Sequence, residues 1–184
     1  MRLGPIFTLC AALSAPTTGI AQTYMDSSNA IGTNSLGVLT SSYAGPINGF
    51  AGNHDFRPGG GNLLERDFIK ARNFVAEGRY AEAEPVLNML IGRTSAPQVR
   101  FLKGVTMLGL GDPAAARRYL EPASRTGHPG ALSGLALAQI QLGNQDAAQK
   151  ILGSLRSRLE KCGGMCADSK SLRQAITVVE KGLV

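Results

Sequence analysis

Three stretches of the chain repeat one pattern of small, polar and large apolar positions: ARNFVAEGRYAEAEPVL from Ala71, GVTMLGLGDPAAARRYL from Gly104 and ALAQIQLGNQDAAQKIL from Ala136. They superimpose without a gap. In each, a small residue is followed seven positions on by glycine (Gly78, Gly111, Gly143), then five on by alanine (Ala83, Ala116, Ala148), then four on by leucine (Leu87, Leu120, Leu152). The copies are offset by 33 and then 32 residues. The spacing predicts a pair of antiparallel helices per copy: the small residue lets two helices approach, the glycine ends the first by turning left-handed, and alanine and leucine pack the second back onto it. Pro97, Pro113 and Pro129 fit first helical positions, where no N–H is needed. Asp112 and Asn144 stand where N-caps belong. Pro85 falls early in the second helix of the first copy and is expected to trim it.

A partial fourth copy follows, with Ala175 and Gly182 again seven apart. It predicts a terminal helix over Asp168 to Lys181, opened by Asp168 or Ser169, that covers the apolar end of a stack. These residues resemble the tetratricopeptide repeat family, whose 34-residue helix-turn-helix unit places small residues, glycine, alanine and large apolar residues in this order. The resemblance spans about Leu64 to Leu159, and it lacks the family's aromatic at the start of the first helix. It implies an all-α fold: a right-handed α-solenoid of about three helical hairpins plus a C-terminal capping helix.

The same resemblance implies a concave groove lined by the first helix of each pair, where protein or peptide partners dock. By register its lining is Phe68, Arg72 and Val75, then Phe101, Val105 and Leu108, then Ser133, Leu137 and Ile140, with Arg72, Arg100 and Lys103 as a basic rim. Such a groove suits an amphipathic helix or an extended apolar segment, from a partner or from the chain's own N-terminal arm. Shifted by one residue, the same set is ordinary inter-helix core. The Asn and Lys/Arg clamp by which some relatives hold a terminal carboxylate is absent, apart from Lys70 and Asn73 at different positions.

Ahead of the repeats the pattern changes twice. Residues 1–21 carry Arg2, an apolar run from Leu3 to Leu13 and small residues at Gly19 and Ala21, the order of a secretory signal peptide, and the run is too short to span a bilayer. Cys10 lies inside that run without the small residues a lipid-attachment site needs. Residues 22–62 are rich in Gly, Ser, Asn and Thr and read as a flexible arm, with Leu36, Val38, Leu39, Ile47 and Phe50 scattered along it. Residues 63–184 form the repeat domain. It holds seventeen Lys plus Arg against eleven Asp plus Glu, so the chain's net charge of +6 sits there. No other run reaches membrane-spanning length.

Export leaves two cysteines, Cys162 and Cys166, in the stretch LEKCGGMCADSK between the last hairpin and the terminal helix. Three intervening residues, two of them glycine, depart from the two-residue spacing of thioredoxin-like centres. A soft copper site with Met165 has the right ligand atoms but no histidine placed to complete it. A disulfide closing the loop fits an oxidising compartment and stabilises by about 2 kcal/mol on the loop-entropy argument.

Catalytic signals are sparse. His54 and His128 have no neighbouring acid or nucleophile in a motif, and His128 before Pro129 reads as a residue that opens a helix. The RPGGGN stretch lacks the Lys-Ser/Thr of a phosphate loop. Glu82 and Glu84 lie at a helix start, where they serve the dipole or solvent. Arg117 and Arg118 form the domain's one basic doublet, so nucleic acid is not an expected partner. The sequence therefore points to a non-catalytic, cofactor-free scaffold or adaptor exported to the envelope, the periplasm first. The competing reading is a thiol-redox or metal-handling protein built on the cysteine pair, and a third is a subunit of an envelope enzyme complex.

Overall fold

The structure is a computed structural model that describes residues 63–163 and 165–184. The expected signal segment with Cys10, the arm with His54, and Gly164 lie outside the described residues. Seven helices follow one another: α1 Leu63–Ala76, α2 Tyr80–Ile91, α3 Pro97–Gly109, α4 Pro113–Ser124, α5 Pro129–Gln141, α6 Gln145–Lys161 and α7 Ser169–Leu183. There is no strand among the described residues. Each helix packs on the next, and the first helices of the pairs also meet across the array, α1 with α3, α3 with α5 and α5 with α7. This is the expected α-solenoid: three hairpins, with α7 laid on both α5 and α6 as the closing element.

The hairpin turns explain why the pattern repeats. Gly78, Gly111 and Gly143 have φ of 74°, 78° and 79°, a region that disfavours residues with a Cβ. At each, the glycine N–H donates to the carbonyl three residues back and the next N–H to the carbonyl five back, as in Asp112 to Met107 at 2.9 Å. These paired bonds satisfy carbonyls that the helix end leaves open. The next helix starts at once. Asp112 Oδ1 accepts from the Ala115 N–H at 2.8 Å and caps α4 as expected, whereas Asn144 donates its side-chain amide to Gln139 Oε1 instead of capping α6.

The small positions do the predicted work at contact distance. A Cβ on Gly104 would lie 2.4 Å from Leu120 Cγ, and one on Gly134 would lie 3.2 Å from Leu120 Cδ2. Leu120 of α4 is thus wedged between α3 and α5, with its side chain fully buried. Burial of one such leucine contributes about 1.5–3 kcal/mol. Ala71, Ala83, Ala116, Ala136 and Ala148 are buried as well. Two prolines lie inside helices. Pro85 leaves α2 running on to Ile91, so the expected trimming does not occur, and Pro122 sits in the last turn of α4. Pro85 is on the solvent side, where water can bond the carbonyl that loses its donor.

The terminal helix is amphipathic along its whole length. Leu172, Ala175, Val178 and Val179 face the stack, while Lys170, Arg173, Thr177 and Lys181 face solvent. A polar outer face on the last element is what stops a solenoid from continuing or aggregating. No described helix is long and apolar enough to cross a membrane.

Candidate functional site

The residues assigned by register to the groove lie where the repeat frame puts them, on the first helices, but most are not surface. Phe68 and Val75 on α1, Phe101, Val105 and Leu108 on α3 and Leu137 on α5 are all no more than 6 % exposed. Ser133 is buried, and its hydroxyl donates to the Gly130 carbonyl at 3.1 Å. Only Arg72 and Ile140 of the set are partly accessible. One cause is local: a Cβ on Gly182 of α7 would lie 2.9 Å from Leu137 Cδ2 and 3.1 Å from Ile140 Cδ1, so the closing helix covers the α5 end of the stripe. The expectation of an open apolar groove is corrected to a stripe of buried side chains with a half-exposed margin at Arg72 and Arg100.

Lys103 is the clearest departure. It was expected at the basic rim, yet its side chain is 2 % exposed and its ammonium pairs with Glu84 Oε1 of α2 at 2.8 Å. The ammonium also lies 5.9 Å from the centre of the Tyr119 ring of α4. Lys103 thus points into the layer of second helices, away from any groove. Its register placed it beside the apolar stripe; its long stem and one carboxylate carry it to the other side. Glu82, two residues before Glu84, pairs instead with Arg79 at 2.5 Å, and that hydrogen bond holds its carboxyl below the usual range.

The turn into α2 forms a second polar feature. Arg79 bonds Glu77 at 2.9 Å as well as Glu82, and its guanidinium stacks 4.4 Å from the centre of Phe74. Lys70 approaches the same ring at 5.7 Å. Lys70, Phe74 and Glu77, with Arg66, Ile69 and Asn73, line an open depression along α1. Lys70 and Asn73 therefore sit together on the outer side of the first helix.

The C-terminal junction gathers more chemistry than its sequence suggests. Cys162 and Cys166 are brought together with Cα atoms 5.5 Å apart, the pairing expected of a staple. Met165 between them is 90 % exposed. Arg158 of α6 donates to the Gly127 carbonyl and to the Asp168 carboxylate, so one side chain ties the turn before α5 to the residue that opens α7. His128 caps α5: its Nδ1 accepts from the Gly130 N–H at 3.1 Å. That bond requires Nδ1 to be unprotonated. Burial, reinforced by the nearby Arg158 charge and opposed by Asp168, pushes the His128 imidazole down to about 4. His128 thus opens a helix, as the His-Pro pair predicts. Among the described residues no three His, Cys, Asp or Glu side chains gather as a metal site would require.

Sequence reasoning missed Arg158 and the Lys103–Glu84 pair. Both join residues on different helices, and no local spacing marks them. Gly127, with φ of 72°, was legible in principle, since a glycine before His-Pro at the end of a helix is the same signal as Gly78 or Gly111.

Comparison with curated proteins and comparison with solved structures each return no match. Residues 107–162, from the end of α3 through α4 and α5 to the end of α6, match the tetratricopeptide repeat. That span covers one and a half of the three hairpins whose turns, small positions and stacking are alike, so over residues 107–162 the chain is similar to the tetratricopeptide repeat, and the described residues form a tetratricopeptide-like α-solenoid.

Proposed function

We propose that the chain is an exported, non-catalytic scaffold that docks a protein partner of the cell envelope, in the periplasm, along the first-helix side of its array. The observation that carries this reading is the stack of like helical hairpins, of which residues 107–162 match the tetratricopeptide repeat, with the partly exposed Arg72 and Arg100 on its first-helix side. Tetratricopeptide arrays serve protein–protein interaction, and a basic margin suits a segment with acidic side chains. Export is supported by the leader pattern of residues 1–21 and by the approach of Cys162 to Cys166, a pairing that persists in oxidising compartments.

The test is affinity capture with crosslinking from native envelopes, comparing the natural chain with an Arg72→Glu, Arg100→Glu double variant that melts at the same temperature. Loss of one defined partner from the variant, by about tenfold or more, is the expected result. A partner retained equally by both proteins removes this surface from the proposal.

A further inference from the structure

The two ends of the array are finished differently. At the C-terminal end α7 turns a polar face outward, as a closing repeat does. At the other end the outward face of α1 sets Ile69 and Phe74, both partly exposed, among the exposed Arg66, Lys70 and Asn73 in the open depression along that helix. The described helices that pack substantially on α1 are α2 and α3. Among the described residues no carboxylate is paired with Arg66 or Lys70. Glu82 lies in the field of Lys70 but gives its oxygens to Arg79.

The next repeat shows what such a face takes. The offset of 33 residues places Ile69, Lys70, Asn73 and Phe74 of α1 on Leu102, Lys103, Thr106 and Met107 of α3. Those four are no more than 6 % exposed. Beside them packs α2, the second helix of the preceding pair. Lys103 bonds its Glu84 at 2.8 Å, and a Cβ on Gly109 would lie 2.3 Å from its Tyr80 Cδ2. Contacts that rise along α2 from Tyr80 to Glu84 fall along α3 from Gly109 to Lys103, so the two helices run antiparallel. In the same frame Gly109 corresponds to Ala76, which is exposed. Helix α1 therefore carries the same lysine on the same face, without the helix that brings Lys103 its carboxylate.

A second copy of the chain fits this face poorly. Its own α1 face carries Arg66 and Lys70, and its α7 face carries Lys170, Arg173 and Lys181, so either approach sets cation against cation. We propose that the N-terminal end of the array docks an acidic amphipathic helix of a protein partner, laid antiparallel along Ile69, Asn73 and Phe74 as α2 lies on α3. Its carboxylate sits on Lys70, four residues after an apolar side chain that covers Ala76. Contact with Ile69 and Phe74 supplies affinity, and the Lys70 pair selects charge and register. The proposal adds a second surface to the scaffold reading and rests on it only for the occupant being a protein. Arg72 stands about 200° round α1 from Lys70, so the two surfaces are separate.

The probe is the chain's own α2 as a hydrocarbon-stapled peptide, residues 79–92, titrated into the nitrogen-15-labelled whole chain. Expected is saturable binding with amide shifts concentrated at residues 66–77, weakened about tenfold by Lys70→Glu and restored when that variant meets a peptide carrying Glu84→Lys. Lys70 is exposed, so Lys70→Glu keeps the helical melting point. The proposal is overturned by no binding, by shifts centred on another helix, or by a Glu84→Lys peptide that binds the Lys70→Glu chain no better than the natural peptide does. Sedimentation of the natural chain as a dimer that Lys70→Glu dissociates also overturns it, since the occupant is then a second copy. The Arg72→Glu, Arg100→Glu variant should bind the peptide as the natural chain does, so the peptide titration and the envelope capture fail separately.

Discussion

Removing either member of the Lys103–Glu84 pair should give unequal losses, because the two ends of the bridge face different media. The Lys103 side chain is 2 % exposed and the Glu84 side chain 39 %. Glu84→Ala leaves an ammonium between α2 and α4 with no carboxylate and little access to water. Breaking a buried pair in this sense costs about 3–5 kcal/mol, reduced to roughly 2–4 here because water reaches the Glu84 end. Lys103→Met leaves the carboxylate instead, which can rehydrate, and keeps most of the stem's packing. It forfeits the Tyr119 contact, about 0.5–1 kcal/mol, and should stay within about 1 kcal/mol of the natural chain. For a helical domain of this size the expected fall in Tm is about 8–16 °C for Glu84→Ala against about 4 °C or less for Lys103→Met. The double variant should melt close to Lys103→Met, which gives a coupling energy equal to the Glu84→Ala loss, about 2–4 kcal/mol. Urea and thermal melts by circular dichroism measure all four proteins. If Glu84→Ala costs no more than Lys103→Met, the ammonium is not buried as described and the reasoning fails.

Two further outcomes follow from the C-terminal junction. His128 is held neutral, its imidazole pushed down to about 4 from 6.5; since the unfolded chain takes up the proton first, the associated stability is complete above pH 6.5 and is lost as pH falls toward 4. After discounting for partial exposure this amounts to about 2 kcal/mol. His128→Asn keeps a capping acceptor and removes the titration, so its stability curve over pH 6.5–4 should be flatter than the natural one; parallel curves would contradict the assignment. For the cysteine pair, Cys166→Ser should lower stability by about 2 kcal/mol and open the 162–168 loop and the start of α7 to limited proteolysis before any other described segment. Unaltered melting and protease resistance there would sink the staple.

What the sequence disclosed and what it hid divide along a physical line. Gly78, Gly111 and Gly143, and the prolines at Pro97, Pro113 and Pro129, each impose a constraint on their own backbone, so their spacing could be read without knowing what they touch. Ala71, Gly104 and Ala136 were legible for a similar reason: a small side chain at a fixed place in each copy has meaning only if a helix approaches there, and Leu120 does so against Gly104. The site was harder because register tells which residues share a face but not what lies over that face. Phe101, Val105 and Leu108 share a face as register groups them, but that face is packed into the core formed with the neighbouring helices. Lys103 shows the limit most plainly. On a helical wheel it is one more lysine near a groove, and its burial depends on a carboxylate 19 residues earlier on another helix and on a ring from a third. A charged residue in a repeat protein therefore cannot be assigned to a rim from its position in the repeat alone; its stem length and the nearest opposite charge on adjacent helices decide which layer it enters. The same rule bears on Arg158, whose reach to Gly127 and Asp168 makes it a clasp between α5 and α7 rather than a surface charge of α6. It follows that the net +6 of the sequence overstates the basic surface open to a partner, and that Arg72 and Arg100, not Lys103, are the charges to reverse first.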